Sequence, residues 1–163
     1  MRGIIRHRGI LITVAVLVGI SVTAATFYPG YMSPDSVRQL KQARSASYDD
    51  WHPPIMALVW GILDSVIPGP VGMLVFHNIL FWSGLGLTIS LVAPRSLLAP
   101  VLVLAVGFFP SVFALLSTIW KDVGMASALL LAFSLLPLRR SPLIRVCVCA
   151  KPCLPSLRLC GPA

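Results

Sequence analysis

Long apolar runs, separated by short polar breaks, dominate the chain: they extend from 9 to 27, 54 to 67, 71 to 93, 96 to 119 and 123 to 138. Most approach the roughly 20 residues that a helix needs to cross a bilayer. Soluble cores of this length alternate apolar and polar positions instead. The pattern therefore predicts an all-α integral membrane protein with about four transmembrane helices. The run from 54 to 67 is the exception, because it has fourteen residues, carries Asp64, starts at Pro53-Pro54 and stops at Pro68-Gly69-Pro70. Such a segment suits an interfacial or re-entrant juxtamembrane helix better than a span.

Composition strengthens the picture. Of 163 residues, 57% are hydrophobic and 11% charged, with a mean hydropathy of +0.89, outside the range of soluble domains. The net charge of +8 comes from thirteen Lys and Arg against five Asp. Most of the basic residues flank apolar runs, and none forms a basic stretch interleaved with aromatics, so nucleic acid is not an expected partner. Arg2, Arg6 and Arg8 precede the first run as they would in a signal peptide. That run exceeds a usual signal core, and Ala24-Ala25 makes a weak cleavage site, so an uncleaved first span is expected.

Charge also selects a topology. If 54 to 67 does not cross, the N-terminal arginines, Arg95 and the Arg139-Arg140 pair all fall on the cytoplasmic side, as the positive-inside rule requires. The expected order is a cytoplasmic N-terminus (1–8), a first span (9–27), an outer loop with short helices (28–70), a second span (71–93), a third (96–119), an outer turn (120–122), a fourth span (123–138) and a tail (139–163). Arg38, Lys41 and Arg44 then lie in the outer loop. Asp35, Asp49, Asp50, Asp64 and Asp122 all lie on the outer face or at its membrane edge, and the expected location is a cell inner (cytoplasmic) membrane.

The tail, "SPLIRVCVCAKPCLPSLRLCGPA", has neither a helical period nor a run of spanning length, and reads either as disordered or as a frame-shifted end. It holds Cys147, Cys149, Cys153 and Cys160, whose spacing lacks the second CxxC or the histidine of a zinc site. There is no P-loop, GxSxG, HExxH or dinucleotide fingerprint.

Candidate chemistry gathers in three places. In "YMSPDSVRQL", Ser33, Pro34 and Asp35 form a helix start, which by itself accounts for an acid there. The same carboxylate stands just beyond a span, where it could meet a substrate. In "DDWHPP", the prolines hold His52 extended beside Asp49, Asp50 and Trp51; the arrangement suits either a solvated turn or a site. In "STIWKDVGMAS", Lys121 offers a cation to phosphate and Asp122 a carboxylate to a metal or hydroxyl, unless the pair is simply a loop. His77 and Asn78, within a span, suit a bond between helices, and Gly84 and Gly86 suit helix packing.

This order of features, an acid just past the first span, a helix with Gln and Ala, "DDWHPP" opening a short apolar helix and "WKD" after a later span, resembles the N-terminal part of GT-C membrane glycosyltransferases. The nearest group is that of bacterial proteins related to protein mannosyltransferases and aminoarabinose transferase, and the likeness covers about residues 5 to 138. It implies a truncated GT-C-like fold and transfer of a sugar from a polyprenyl-phosphate carrier to a lipid, glycan or protein acceptor on the outer face of the membrane. By the resemblance Asp35 is the catalytic general base, and His52-Pro53-Pro54 matches the family's HPP or KPP at the start of the juxtamembrane helix. Asp122 matches a later acid. His52 and Lys121 are candidates for stabilising the departing phosphate, and Asp50 and Arg38 complete the substrate-binding set. The family often has Glu after its first acid, where this chain has Ser36. A divalent cation between Asp35 and Asp122 is the one cofactor left open, and no metal site is assigned. Members usually carry many more spans and a C-terminal region that completes the carrier site, so this chain corresponds to their front part. Two other classes stay open: a non-enzymatic four-span scaffold or assembly protein, and a small transporter subunit, for which His77, Asn78 and a few Ser and Thr are the only intramembrane polar groups.

Overall fold

The computed structural model describes residues 2–49, 54–94 and 96–139. The tail from 140 onward, with its cysteines and the frame-shift question, lies outside the described residues, as do Arg95 and 50 to 53. Among the described residues the protein is all helical, with seven α-helices and no strand. They are α1 (Arg2–Phe27), α2 (Pro34–Ser45), α3 (Pro54–Asp64), α4 (Val71–Val92), α5 (Ala99–Gly107), α6 (Pro110–Leu115) and α7 (Lys121–Leu135), followed by a 3-10 turn (Leu136–Arg139).

Two helical stretches, His7–Phe27 and Val71–Val92, are long and apolar enough to cross a membrane. At ~1.5 Å per residue the second extends about 33 Å, against a hydrocarbon core of about 30 Å. Only 22% of the first stretch and 33% of the second is buried inside the protein, so most of each helix faces outward. Leu11, Val14, Leu17, Val18 and Val22 on α1 are exposed apolar side chains of this kind.

The segment from 96 to 119 is not one helix. Phe109 turns extended, with φ −57° and ψ 129°, immediately before Pro110 opens α6. Proline lacks the N–H to continue a helix, and it drives the preceding residue out of the helical region. Lys121 and Asp122, expected in a turn, instead form the first turn of α7 behind Trp120. There a carboxylate meets the positive end of the helix dipole.

Helix directions follow from contacts at small residues. A Cβ on Gly84 would stand 2.8 Å from the Leu131 backbone nitrogen, and one on Gly124 would stand 2.5 Å from His77 Nε2. Contacts that advance together along both helices make α4 and α7 parallel. Gly19 meets Trp82, while Gly86 meets Val16 and Ile12, so α1 runs antiparallel to α4. At the far end of that pair Arg8 donates from Nη2 to the carbonyl of Ala93 at 2.8 Å and from Nε to that of Ser96 at 3.2 Å. A cation at these carbonyls satisfies groups that every helix C-terminus leaves over. Arg8 and the 3-10 turn thus lie at one end of the bundle, and Asp35, Asp64 and Asp122 at the other, together with Arg38, Lys41, Arg44 and Lys121.

The core has two parts. Ile12, Ala15, Trp82, Leu85, Ala99, Val103 and Leu116 form one between α1, α4 and α5. Leu40, Met56, Trp60, Met73 and Ile119 form the second, which ties α2 and α3 to α4. Trp82 is fully buried in the first, with Gly19 and Gly107 against its ring, and its Nε1 donates to Thr23 Oγ1 at 3.2 Å.

A methyl group at Gly19 or Gly107 would overlap the indole. Gly19→Ala and Gly107→Ala are each expected to destabilise the protein by about 1–3 kcal/mol. Gly9, with nothing near its Cβ position, is the control: Gly9→Ala is expected to be neutral or slightly stabilising. Thermal unfolding in detergent, followed by circular dichroism, checks both, and equal melting of all three variants would remove Trp82 from its central role.

Candidate functional site

The site is built where the chain leaves α1 and where it enters α7. Gly30 makes this turn at φ +108°, and a Cβ there would also press on Ile119 at 2.9 Å, so glycine is required twice over. Beyond it Tyr31 pairs with the stretch before α7: its N–H donates to the Ser117 carbonyl at 2.9 Å, and its own carbonyl accepts from the Ile119 N–H at 3.0 Å. This two-bond bridge joins segments almost ninety positions apart in the chain.

The start of α2 then fixes Asp35. The Ser33 Oγ accepts the Ser36 N–H at 3.3 Å and the Ser33 N–H donates to the Ser36 Oγ at 3.4 Å, a reciprocal cap with Pro34 in the first turn. The helix start expected from Ser33 and Pro34 is therefore present. Ser36, at the position where the resembled family often has Glu, is 1% exposed and donates its hydroxyl to the Ile119 carbonyl at 2.6 Å. Its role is to lock α2 onto the segment that carries Lys121 and Asp122.

The outcome is a cavity of about 210 Å3 lined by Asp35, Ser36, Gln39, Ile119, Trp120, Lys121 and Asp122. Asp35, Lys121 and Asp122, drawn from two distant motifs, share its walls. Arg38 is exposed on α2 and is not among the wall residues. His52 and Asp50 lie outside the described residues. A second, mostly apolar groove of about 400 Å3 runs between α3, α4 and α7. Met56, Val59, Met73, Phe76 and Met125 line it, with His77, and it shares Lys121 and Asp122 with the first cavity.

For a metal, the cavity wall offers two carboxylates, Asp35 and Asp122, together with the cation of Lys121. Among the described residues no group of three or more His, Cys, Asp or Glu side chains comes together.

Of the polar residues within α4, Asn78 donates its amide to the Leu74 carbonyl at 2.8 Å, while its Oδ1 is buried and lacks a partner among the described residues. His77 stands on the groove wall with its Nδ1 buried and lacking a partner among the described residues. Asp64 is not a free acid. It takes a two-pronged ion pair from Arg44 at 2.8 and 2.9 Å and the Gly69 N–H at 2.7 Å. It thereby clamps the end of α2 to the loop that enters α4. Sequence reasoning missed Gln39 and the groove. A signal for the first exists, since Gln39 follows Asp35 by four positions and so shares its helix face. For the groove the signal is three methionines, residues that fill adaptable apolar surfaces.

Comparison with protein-family models, with curated proteins and with solved structures returned no match.

The hydrogen bonds from Arg44 and then from Gly69 hold the Asp64 carboxyl below its ordinary value, and the same pair raises Arg44. A lowered carboxylate pKa contributes stability that is complete above the unfolded value, ~3.9, and is lost as pH falls through the lower folded value. Asp64→Asn is thus expected to lower the melting temperature near neutral pH. The gap to the wild type should close as the medium is acidified below ~3.9, where the native carboxyl also becomes neutral. A gap that stays constant with pH would mean that the clamp contributes through packing rather than charge.

Proposed function

We propose that this protein is a GT-C-like membrane glycosyltransferase that moves a sugar from a polyprenyl-phosphate carrier to an acceptor hydroxyl on the outer face of a bacterial inner membrane. The observation that carries the reading is the pairing of the Asp35 cavity, whose wall includes charged and polar side chains, with an apolar groove through two common residues, Lys121 and Asp122. A lipid-linked sugar has this shape of demand: a polar head, an anionic junction and a hydrocarbon chain. In the proposed reaction the Asp35 carboxylate takes the proton of the acceptor hydroxyl as its oxygen forms a bond to the anomeric carbon. The bond from that carbon to the phosphate oxygen breaks, and the electron pair leaves with the polyprenyl phosphate. Lys121 sits where the groove meets the cavity and is the cation that steadies the developing charge.

The topology that goes with this reading has four spans, formed by α1, α4, the α5–α6 pair and α7, with α2 and α3 at the outer surface. It is supported by the separation of Arg8 from Asp35, Asp64 and Asp122 at opposite ends of the bundle and by the positive-inside rule.

The test is transfer from a panel of polyprenyl-phosphate hexoses and pentoses in reconstituted membranes. Asp35→Asn is expected to lower turnover about 10²- to 10⁴-fold, the range for loss of a general base, while the lipid donor still binds. Equal turnover by the two proteins would sink the role of Asp35. No transfer by either protein, with Asp35→Asn behaving as wild type in cells, would favour the non-enzymatic four-span scaffold.

A further inference from the structure

Gln39 occupies the cavity wall one helical turn beyond Asp35, on the same face of α2. It is 2% exposed, yet its Oε1 has no hydrogen-bond partner among the described residues. Burying an amide oxygen without a donor is unfavourable. Ser36, equally buried in the same wall, has its hydroxyl bonded to the Ile119 carbonyl. Leu40, the next residue on α2, is part of the apolar core, so a hydrocarbon side chain is already accommodated beside this position.

Gln42, on the same helix, also has a buried Oε1 without a partner. It lines neither cavity. The Oδ1 of Asn78 is in the same state and likewise lines neither cavity; Gln39 differs from both in belonging to the cavity wall.

We propose that Gln39 is a specificity residue of the cavity, its carboxamide oxygen accepting a hydrogen bond from a hydroxyl of the sugar carried on the lipid phosphate. This rests on the glycosyltransferase reading and extends it to the side of the cavity away from the groove. With Lys121 and Asp122 common to cavity and groove, a lipid phosphate at that junction directs its sugar into the cavity, past Asp35 and toward Gln39. A site that reads a hydroxyl with a buried acceptor discriminates against ligands that lack it, because the acceptor is otherwise left unpaired.

The experiment is equilibrium binding, which needs no turnover, to the full chain in lipid nanodiscs, with two probes: a polyprenyl-phosphate hexose and bare polyprenyl phosphate. Gln39→Met keeps the length of the side chain and removes its hydrogen bonding. It is expected to weaken binding of the hexose lipid roughly 3- to 10-fold, the worth of one hydrogen bond, and to leave the bare lipid unchanged. Its melting temperature without ligand should equal or exceed that of the wild type, an outcome that a merely structural glutamine would not give. Gln42→Met should behave alike in melting but leave both lipids unaffected. Equal losses on both lipids, or no loss on the hexose lipid, would overturn the role of Gln39 while leaving the carrier reading intact. A wild-type protein that holds neither lipid would overturn both.

Discussion

The buried indole of Trp82 sets the spacing of the bundle. It reaches from α4 into the gap between α1 and α5, where Gly19 and Gly107 give it room and Thr23 accepts its N–H. Thr23 in turn donates to the Gly19 carbonyl at 2.7 Å, so each polar atom of this seat is satisfied without water. In a lipid surround, which the lengths and hydropathy of α1 and α4 would suit, that would matter more than the contact area, because lipid tails are as apolar as leucine and provide no drive to bring helices together. Close packing at small residues and complete hydrogen bonding must do it instead. Phe108 and Phe113 continue the contact along α5 and α6 as far as Phe27 at the end of α1. The wedge thus holds in place the point at which the chain leaves α1 for α2.

From there the polar end is assembled by main-chain bonds rather than by charges. Tyr31 pairs with Ser117 and Ile119, and Ser36 closes onto Ile119. The ion pair of Arg44 with Asp64 joins α2 to the entry of α4. Asp35 and Asp122 are brought to a common wall by the Tyr31 bridge and the Ser36 hydroxyl, neither of which is charged.

Much of this end was legible in the residues. Ser33, Pro34 and the acid behind them announce the start of α2, since a hydroxyl that can accept an orphan N–H and a ring that needs none are the marks of a helix N-terminus. The Pro-Gly-Pro stretch announces the entry to α4. Gly84 and Gly86 were readable as packing positions, and each lies against a neighbouring helix. Pro110 was equally visible, but an unbroken apolar run concealed its effect, because hydropathy averages over a residue that breaks a helix without being polar. Asp64 gave no sign of its ion pair, for a different reason. Its partner Arg44 stands twenty positions away across a turn, beyond the reach of any local pattern.

By itself, then, the sequence determined the solvent-facing chemistry: outward apolar faces, helices where runs persist, and polar residues gathered beyond the ends of the runs. These properties depend on local backbone preference and on transfer of side chains from water, and both are set residue by residue. Only the tertiary structure decided that Asp35 and Lys121 share a cavity, that Gln39 belongs to its wall and that an apolar groove adjoins it. Those relations are distances between residues far apart in the chain, and they come from the fit of Trp82 between two glycines and from a two-bond bridge, neither of which any single segment encodes.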